Sequence, residues 1–428
     1  MSLGDRIQQV RHGFQSAFWV ANSSEMFERL SFYSQQAFLS LFLLEIVKLH
    51  EVPASNLMGW FGLLVYALPV VVGSLADRFG FRWGLVVAFL IDGTGYFLLG
   101  SFNSSWMHPI RAVLPDYWLL FAILTFSAFG PALVKPCVVG SVAIASTEQV
   151  RSIGYAIYYW LVNIGGALGP ILGAAAVAAF GMSTNFILCA LLVYALVFFV
   201  LFFYREPAQV VATRSTMTIR QALANTLLVL RNWRFVLFML IFSGYYVTFF
   251  AFFVVMPDYI HKYVNPALPA ADIGRLIAID AGMIIVFQIP VNHLTRHVAT
   301  FRALIFGAVL AALSMVTVSL HRSVWMAAAG LVVFSIGEMT QAPRYYEYIS
   351  RLAPEGQQGV FMGYAFLPIA LGYFFAGLIG GHLLHYYGQV LKQPYEMWWV
   401  LAGVGALATV LMILYNRVFM TRGGPKTA

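Results

Sequence analysis

Residues 73–82 read Gly73-Ser-Leu-Ala-Asp77-Arg78-Phe-Gly80-Phe-Arg82, a short turn with two arginines and one aspartate between long apolar runs at 57–76 and 84–101. Apolar runs of about 20 residues joined by so short and charged a turn describe a chain reversing at a bilayer surface. Working outward, ten more such runs fall at 16–44, 117–140, 154–178, 184–203, 234–256, 273–292, 302–320, 325–349, 359–384 and 397–416. The composition agrees: of 428 residues, 61% are hydrophobic, 16% aromatic and only 10% charged. Soluble domains carry roughly 25% charged residues, so this chain cannot cover a water-facing surface. The expected fold is an all-α polytopic membrane protein with 12 transmembrane helices.

The formal net charge of +8 does not indicate a nucleic-acid partner, because the cations are sorted by side. Seventeen lie at the termini and in alternate loops, from Arg6 and Arg11 through Arg78, Arg82 and Arg151 to Arg417, Arg422 and Lys426. Six, namely Lys48, Arg111, Lys262, Arg275, Arg322 and Lys392, lie in the other set. The positive-inside rule then puts both termini in the cytoplasm. The first apolar run holds Glu25, Glu28 and Arg29, which a cleavable signal peptide would not, so it is read as the first helix.

Cys137 and Cys189 both fall in apolar runs, without a CxxC or Cys/His cluster, so disulfide and zinc readings have no support. No phosphate loop, HExxH or GxSxG is present, and no enzyme chemistry is expected. The longest connection on the basic side, with Arg205, Arg214, Arg220 and Arg231, divides the chain into residues 1–204, a cytoplasmic linker 205–233, and residues 234–428, with six spans in each half. Two six-helix bundles around a central cavity is the architecture of the major facilitator superfamily, whose halves rock about a midplane site. The 73–82 stretch resembles the superfamily's loop signature at Gly73, Asp77, Arg78, Gly80 and Arg82. An aspartate at a helix end beside arginines can brace neighbouring helices in one state and release them in another; the same arginines can also serve only as topology anchors.

Charged side chains inside a bilayer are costly and usually face water or one another. Here they are Glu25, Glu28, Arg29, Asp92, Lys135, Asp280 and Glu338. Glu25, Arg29 and Tyr33 follow at i, i+4 steps, so one helix face carries acid, base and phenol. Arginine keeps its proton, whereas a buried glutamate can titrate. Such a pair can couple a proton to a solute: ionised glutamate neutralises Arg29, and protonated glutamate frees it for a substrate carboxylate. A proton falling through 100 mV supplies about 2.3 kcal/mol. The alternative is a structural salt bridge. Asp92 reads equally as a packing partner or a relay member.

The stretch Glu25-Met-Phe-Glu28-Arg29, followed by Tyr33, resembles the first-helix signature of proton-coupled oligopeptide transporters. Tyr66-Ala-Leu-Pro69, Gly130-Pro-Ala-Leu-Val-Lys135-Pro136, Tyr159-Trp-Leu-Val-Asn163-Ile-Gly165 and Gly337-Glu338-Met-Thr-Gln-Ala342-Pro343 are similar to further motifs of that family. The resemblance implies that Arg29 and Lys135 hold a peptide carboxylate and Glu338 its amino terminus. It places Tyr33, Tyr66, Tyr159 and Asn163 along the pocket and gives Glu25, Glu28 and Arg29 the proton coupling. A dipeptide is a short zwitterion, and cations in the first half with an acid in the second match its dipole.

The sequence departs from that family in having no room for extra helices between the halves, Ala342 where a serine is usual, and Asp280 where an asparagine is common. Asp280 is therefore added to the candidate binding residues. The expected function is proton-coupled import of di- and tripeptides or peptide-like zwitterions across the inner membrane. It needs no cofactor or metal beyond the proton gradient, and its partners are substrate, protons and lipid, with the chain monomeric. Left open are symport of another amphoteric solute such as a muropeptide, a peptide-derived siderophore or an amino-acid conjugate, drug/proton antiport, and a non-transporting transceptor.

Overall fold

The computed structural model describes residues 13–70, 72, 80–207, 228–352, 361 and 363–419, nearly all helical. Gly73, Asp77 and Arg78 lie outside the described residues. In chain order the long helices are α1 (Ser16–Leu41), α2 (Glu51–Ala67), α3 (Phe81–Gly100), α4 (Asp116–Ile144), α5 (Arg151–Phe180), α6 (Met182–Phe203), α7 (Trp233–Val254), α8 (Ala270–Thr295), α9 (Thr300–Ser319), α10 (Val324–Leu352), α11 (Leu367–His385) and α12 (Met397–Phe419). Among the described residues nine, α3–α7 and α9–α12, are long and apolar enough to cross a bilayer. Of the remaining three, α1 and α8 hold buried charges and α2 has only 17 residues.

The chain forms two compact units, one of residues 1–42 and 67–222, the other of 43–66 and 223–428. In the first, α1 packs on α5 and α6, and α3 packs on α4 and α6. In the second, α7 packs on α11 and α12, and α9 packs on α10 and α12. The second scheme is the first displaced by six helices, as an internal repeat requires.

Lipid gives helices no hydrophobic reason to associate, so close packing must hold them. Gly165, Gly169 and Gly173 supply it on α5, spaced so that they share one face. A Cβ added to them would meet the Met26 carbonyl oxygen at 2.3 Å, the Leu30 carbonyl oxygen at 2.6 Å and Ser34 Oγ at 2.3 Å. The buried core of this unit includes Phe18, Phe89, Tyr96, Val134, Val193 and Tyr204.

Gly80 enters α3 at φ +89°, a conformation that favours glycine. The backbone N–H groups of Phe81 and Arg82 donate to Glu206 at 2.8 and 3.0 Å, and the Arg82 guanidinium donates to the Leu201 carbonyl. An acid three residues past the end of α6 thus caps α3, where the helix dipole favours negative charge. Of the loop signature, Gly80 and Arg82 serve this junction.

The sequence boundary at 205–233 and the contact boundary differ over residues 43–66. That segment joins the second unit because α2 lies against α11: a Cβ on Gly59 would meet the Phe374 carbonyl oxygen at 2.7 Å, and one on Gly377 would meet the Ser55 carbonyl oxygen at 2.4 Å. An ion pair fixes the same end, with Lys262 Nζ 2.9 Å from Glu51, and His261 Nε2 lies 3.1 Å from Glu45 nearby.

Glu51 precedes the expected span 57–76. Burial opposes ionisation of its carboxyl, but hydrogen bonds from Lys262, its own backbone N–H and Gln389, with the Lys262 charge, outweigh this and hold its pKa at about 2 against an ordinary 4.5. A carboxylate depressed on folding adds stability above its unfolded pKa and loses it as pH falls through the folded one. The wild type should therefore melt above Glu51→Gln at pH values over 4.5, the two converging as pH approaches about 2. A gap that persists at the acid end would contradict this origin.

Candidate functional site

In the first unit the site grows from α1. The glycine face of α5 draws that helix so close that a Cβ at Gly165 would lie 3.0 Å from the Arg29 Cβ. The following turns of α1 are therefore sealed: Glu25 is 1% exposed, Glu28 0% and Arg29 6%. Buried charge is tolerable only when paired and hydrogen-bonded. Arg29 meets this with a two-pronged pair, Nε and Nη2 each 2.6 Å from a Glu28 carboxylate oxygen. Its guanidinium carbon also lies 4.6 Å above the Phe32 ring.

The i, i+4 spacing pointed to Glu25 as the acid facing Arg29, whereas the structure pairs Arg29 with Glu28. Glu28 takes Arg29, while Glu25 accepts from the Tyr158 hydroxyl at 3.3 Å, its other oxygen having no hydrogen bond. The charges of Arg29, Glu25 and Glu28 all act on Lys135, which α4 carries between its internal Pro131 and Pro136. Tyr33 is electrostatically linked to Arg29 and lies over Gly166. The structure thus gathers Glu25, Glu28, Arg29, Tyr33 and Lys135.

Tyr159 and Asn163 follow Tyr158 on α5, the Asn163 amide donating to the Tyr159 carbonyl at 2.7 Å, with the Tyr159 side chain half exposed. Tyr66 belongs to the other unit, where its ring lies 5.9 Å from Phe250 and 6.3 Å from Tyr373.

The second unit holds an acid pair. The Ser335 hydroxyl donates to Asp280 at 2.6 Å, and Glu338, one turn along α10, acts directly on Asp280. Tyr245 and Gln341 stand beside them. The Tyr245 ring belongs to an aromatic stack in which Phe242 lies 5.2 Å from Tyr245 and 4.7 Å from Tyr345. Two carboxyl groups near tyrosines have the chemistry to attract an ammonium or other organic cation. The buried cations of the first unit suit a carboxylate.

Tyr158, Ser335 and Gln341 were not picked out from the sequence. Tyr158 adjoins a motif tyrosine and Ser335 precedes Glu338 by three residues, a helix turn that could have marked it. Arg344 and Glu347, one turn apart on α10, are joined at 3.1 Å. Among the described residues no group of three or more metal-ligating side chains converges.

Charged groups enclosed within membrane helices, in a packing scheme that repeats after six helices, define a secondary transporter rather than an enzyme. The model of the Major Facilitator Superfamily matches residues 23–367 and 264–426, and the chain belongs to that superfamily.

Among curated relatives, Multidrug resistance protein MdtH of Escherichia coli O157:H7 is 24% identical over 375 residues, covering 83% of this chain and 86% of that protein. Among solved structures, a POT family transporter bound to a thioalcohol-conjugated peptide matches with TM-score 0.74 at 18% identity, covering 94% of this chain and 96% of that one. A POT family transporter holding 5-aminolevulinic acid gives 0.74 at 17%, covering 94% and 96%. The POT family transporter PepTSo gives 0.75 at 16%, covering 95% and 99%. These likenesses show that this chain has the fold of the peptide transporters.

Proposed function

We propose that this protein is a proton-coupled symporter that imports short peptides or peptide-like zwitterions across the inner membrane, with both termini cytoplasmic. Arg29 and Lys135 take the substrate carboxylate and Glu338, supported by Asp280, takes its ammonium group. Tyr33, Tyr66, Tyr159 and Asn163 contribute to binding. The observation that carries this reading is the buried two-pronged pair between the Glu28 carboxylate and the Arg29 guanidinium. Protonation of Glu28 releases Arg29 for a carboxylate, so solute and proton enter together; no cofactor is required, and the chain works as a monomer. The fold likeness to transporters holding a conjugated peptide and 5-aminolevulinic acid supports an amphoteric substrate.

A second reading, exchange of an organic cation for protons, is favoured by the Asp280–Glu338 pair beside its aromatic stack and by the relationship to MdtH. Proteoliposomes separate the two. Symport predicts uptake of a mixed di- and tripeptide pool driven by an acidic exterior and an inside-negative potential. Exchange predicts movement of lipophilic cations driven by an acidic interior. Peptide uptake indifferent to the proton gradient would exclude the symport reading.

A further inference from the structure

The buried charges of the first unit do not balance, and the imbalance singles out one residue. Among its described membrane-embedded residues are two cations, Arg29 and Lys135, and three acids, Glu25, Glu28 and Asp92. Glu28 occupies Arg29 with both its oxygens, and Glu25 lies in the field of Lys135 as well as Arg29. Asp92 is left without a cation of its own. It is 0% exposed on α3, and a Cβ on Gly130 would lie 2.8 Å from its Cβ and 3.0 Å from its Oδ1, so α4 closes over it with bare backbone.

The groups facing Asp92 are Glu28 and Arg29 from α1, Cys189 from α6 and Tyr96 from its own helix. The Asp92 carboxyl stands against the Glu28 carboxyl and the Tyr96 hydroxyl, and neither of its oxygens receives a well-aligned donor. An ionised Asp92 would be a desolvated anion beside another anion, with Arg29 already committed to Glu28. With Glu28 on Arg29 and Glu25 in the field of Lys135, Asp92 is the acid of this cluster whose charge is least offset.

We propose that Asp92 is the resident proton store of this transporter and exchanges its proton with Glu28, an inference that rests on the proton-symport reading. In the empty protein Glu28 is ionised on Arg29 and Asp92 is the neutral acid. A substrate carboxylate displaces Glu28 from Arg29, and the Asp92 O–H passes its proton to the freed Glu28 carboxylate. The proton that enters with the substrate refills Asp92. One carboxylate and one proton have entered, the cluster remains neutral, and the coupling ratio follows as one proton per substrate carboxylate. On release, Glu28 gives up its proton and returns to Arg29.

The full-length protein and its Asp92→Asn variant test this with two readouts. Infrared spectroscopy at neutral pH should show a protonated-carboxyl carbonyl band in the substrate-free wild type that Asp92→Asn lacks. In proteoliposomes the variant should keep gradient-free substrate counterflow, while accumulation falls from the roughly 50-fold that one proton driven by 100 mV supports to about one. An unchanged infrared band, or wild-type accumulation by Asp92→Asn, overturns the proposal. The infrared arm reads the Asp92 proton even if no peptide is moved, so failure of the symport reading is distinguishable. Should Asp92→Asn not fold, Glu28→Gln provides the converse: Arg29 then draws the charge of Asp92 and the band disappears, whereas a persisting band overturns the proposal.

Discussion

Arg29→Ala should abolish proton-driven peptide uptake and, unlike the Asp92 variant, substrate counterflow as well. Arg29 is both the partner of Glu28 and the proposed carboxylate holder, so its removal strikes binding and coupling together. Truncating one member of a buried ion pair costs about 3–5 kcal/mol, because the other charge is stranded. Glu28, 0% exposed, would be the group left without its partner. Arg29→Lys separates charge from shape: an ammonium keeps the positive charge but cannot reproduce the two parallel 2.6 Å bonds. The lysine variant should therefore fold with a higher melting temperature than the alanine variant and bind peptide more weakly than wild type. Uptake by folded Arg29→Ala at the wild-type KM would remove Arg29 from the carboxylate site.

Gly165→Val should produce the largest loss of folded protein. Its Cβ would sit 2.3 Å from the Met26 carbonyl oxygen and 3.2 Å from the Leu30 backbone nitrogen, atoms of a helix that cannot swing aside as a side chain can. Overpacking a core typically costs 1–3 kcal/mol, and here relief requires α1 to separate from α5 along the turns that carry Glu28 and Arg29. Gly403→Ala is the control, since nothing lies within 4 Å of its added carbon and alanine is the better helix former. Yield and melting temperature in detergent should fall sharply for Gly165→Val and hold for Gly403→Ala. Equal stability of the two variants would show that α1 and α5 are not held by this contact.

Helix positions were legible in the sequence because hydropathy measures the same length that a bilayer imposes. The run at 184–203 became Met182–Phe203, and that at 302–320 became Thr300–Ser319. Where polar residues open a helix the reading started late: α2 begins at Glu51, with Pro53 in its first turn, six residues ahead of the apolar run. The first-unit cluster was visible as charges out of place, but periodicity alone could not decide which acid holds Arg29. That choice depends on Tyr158, which reaches Glu25 from 133 residues away. Likewise, Glu206 caps α3 across 125 residues and Lys262 pairs with Glu51 across the two sequence halves. Local spacing has no access to such contacts, since the sequence distance between the partners carries no periodic signal.

The association of α2 with α11 also has a consequence in time. Gly59 emerges from the ribosome 318 residues before Gly377, the glycine that meets it. At synthesis rates of about 5–20 residues per second, roughly 15–65 s pass before the partner exists. During that interval the glycine-notched face of α2 has only lipid or an insertion factor to lie against, so the second unit is completed last by a segment made among the first. Nascent chains truncated before residue 367 should therefore leave Gly59 accessible to crosslinking by the insertion machinery, and chains extended past α11 should protect it.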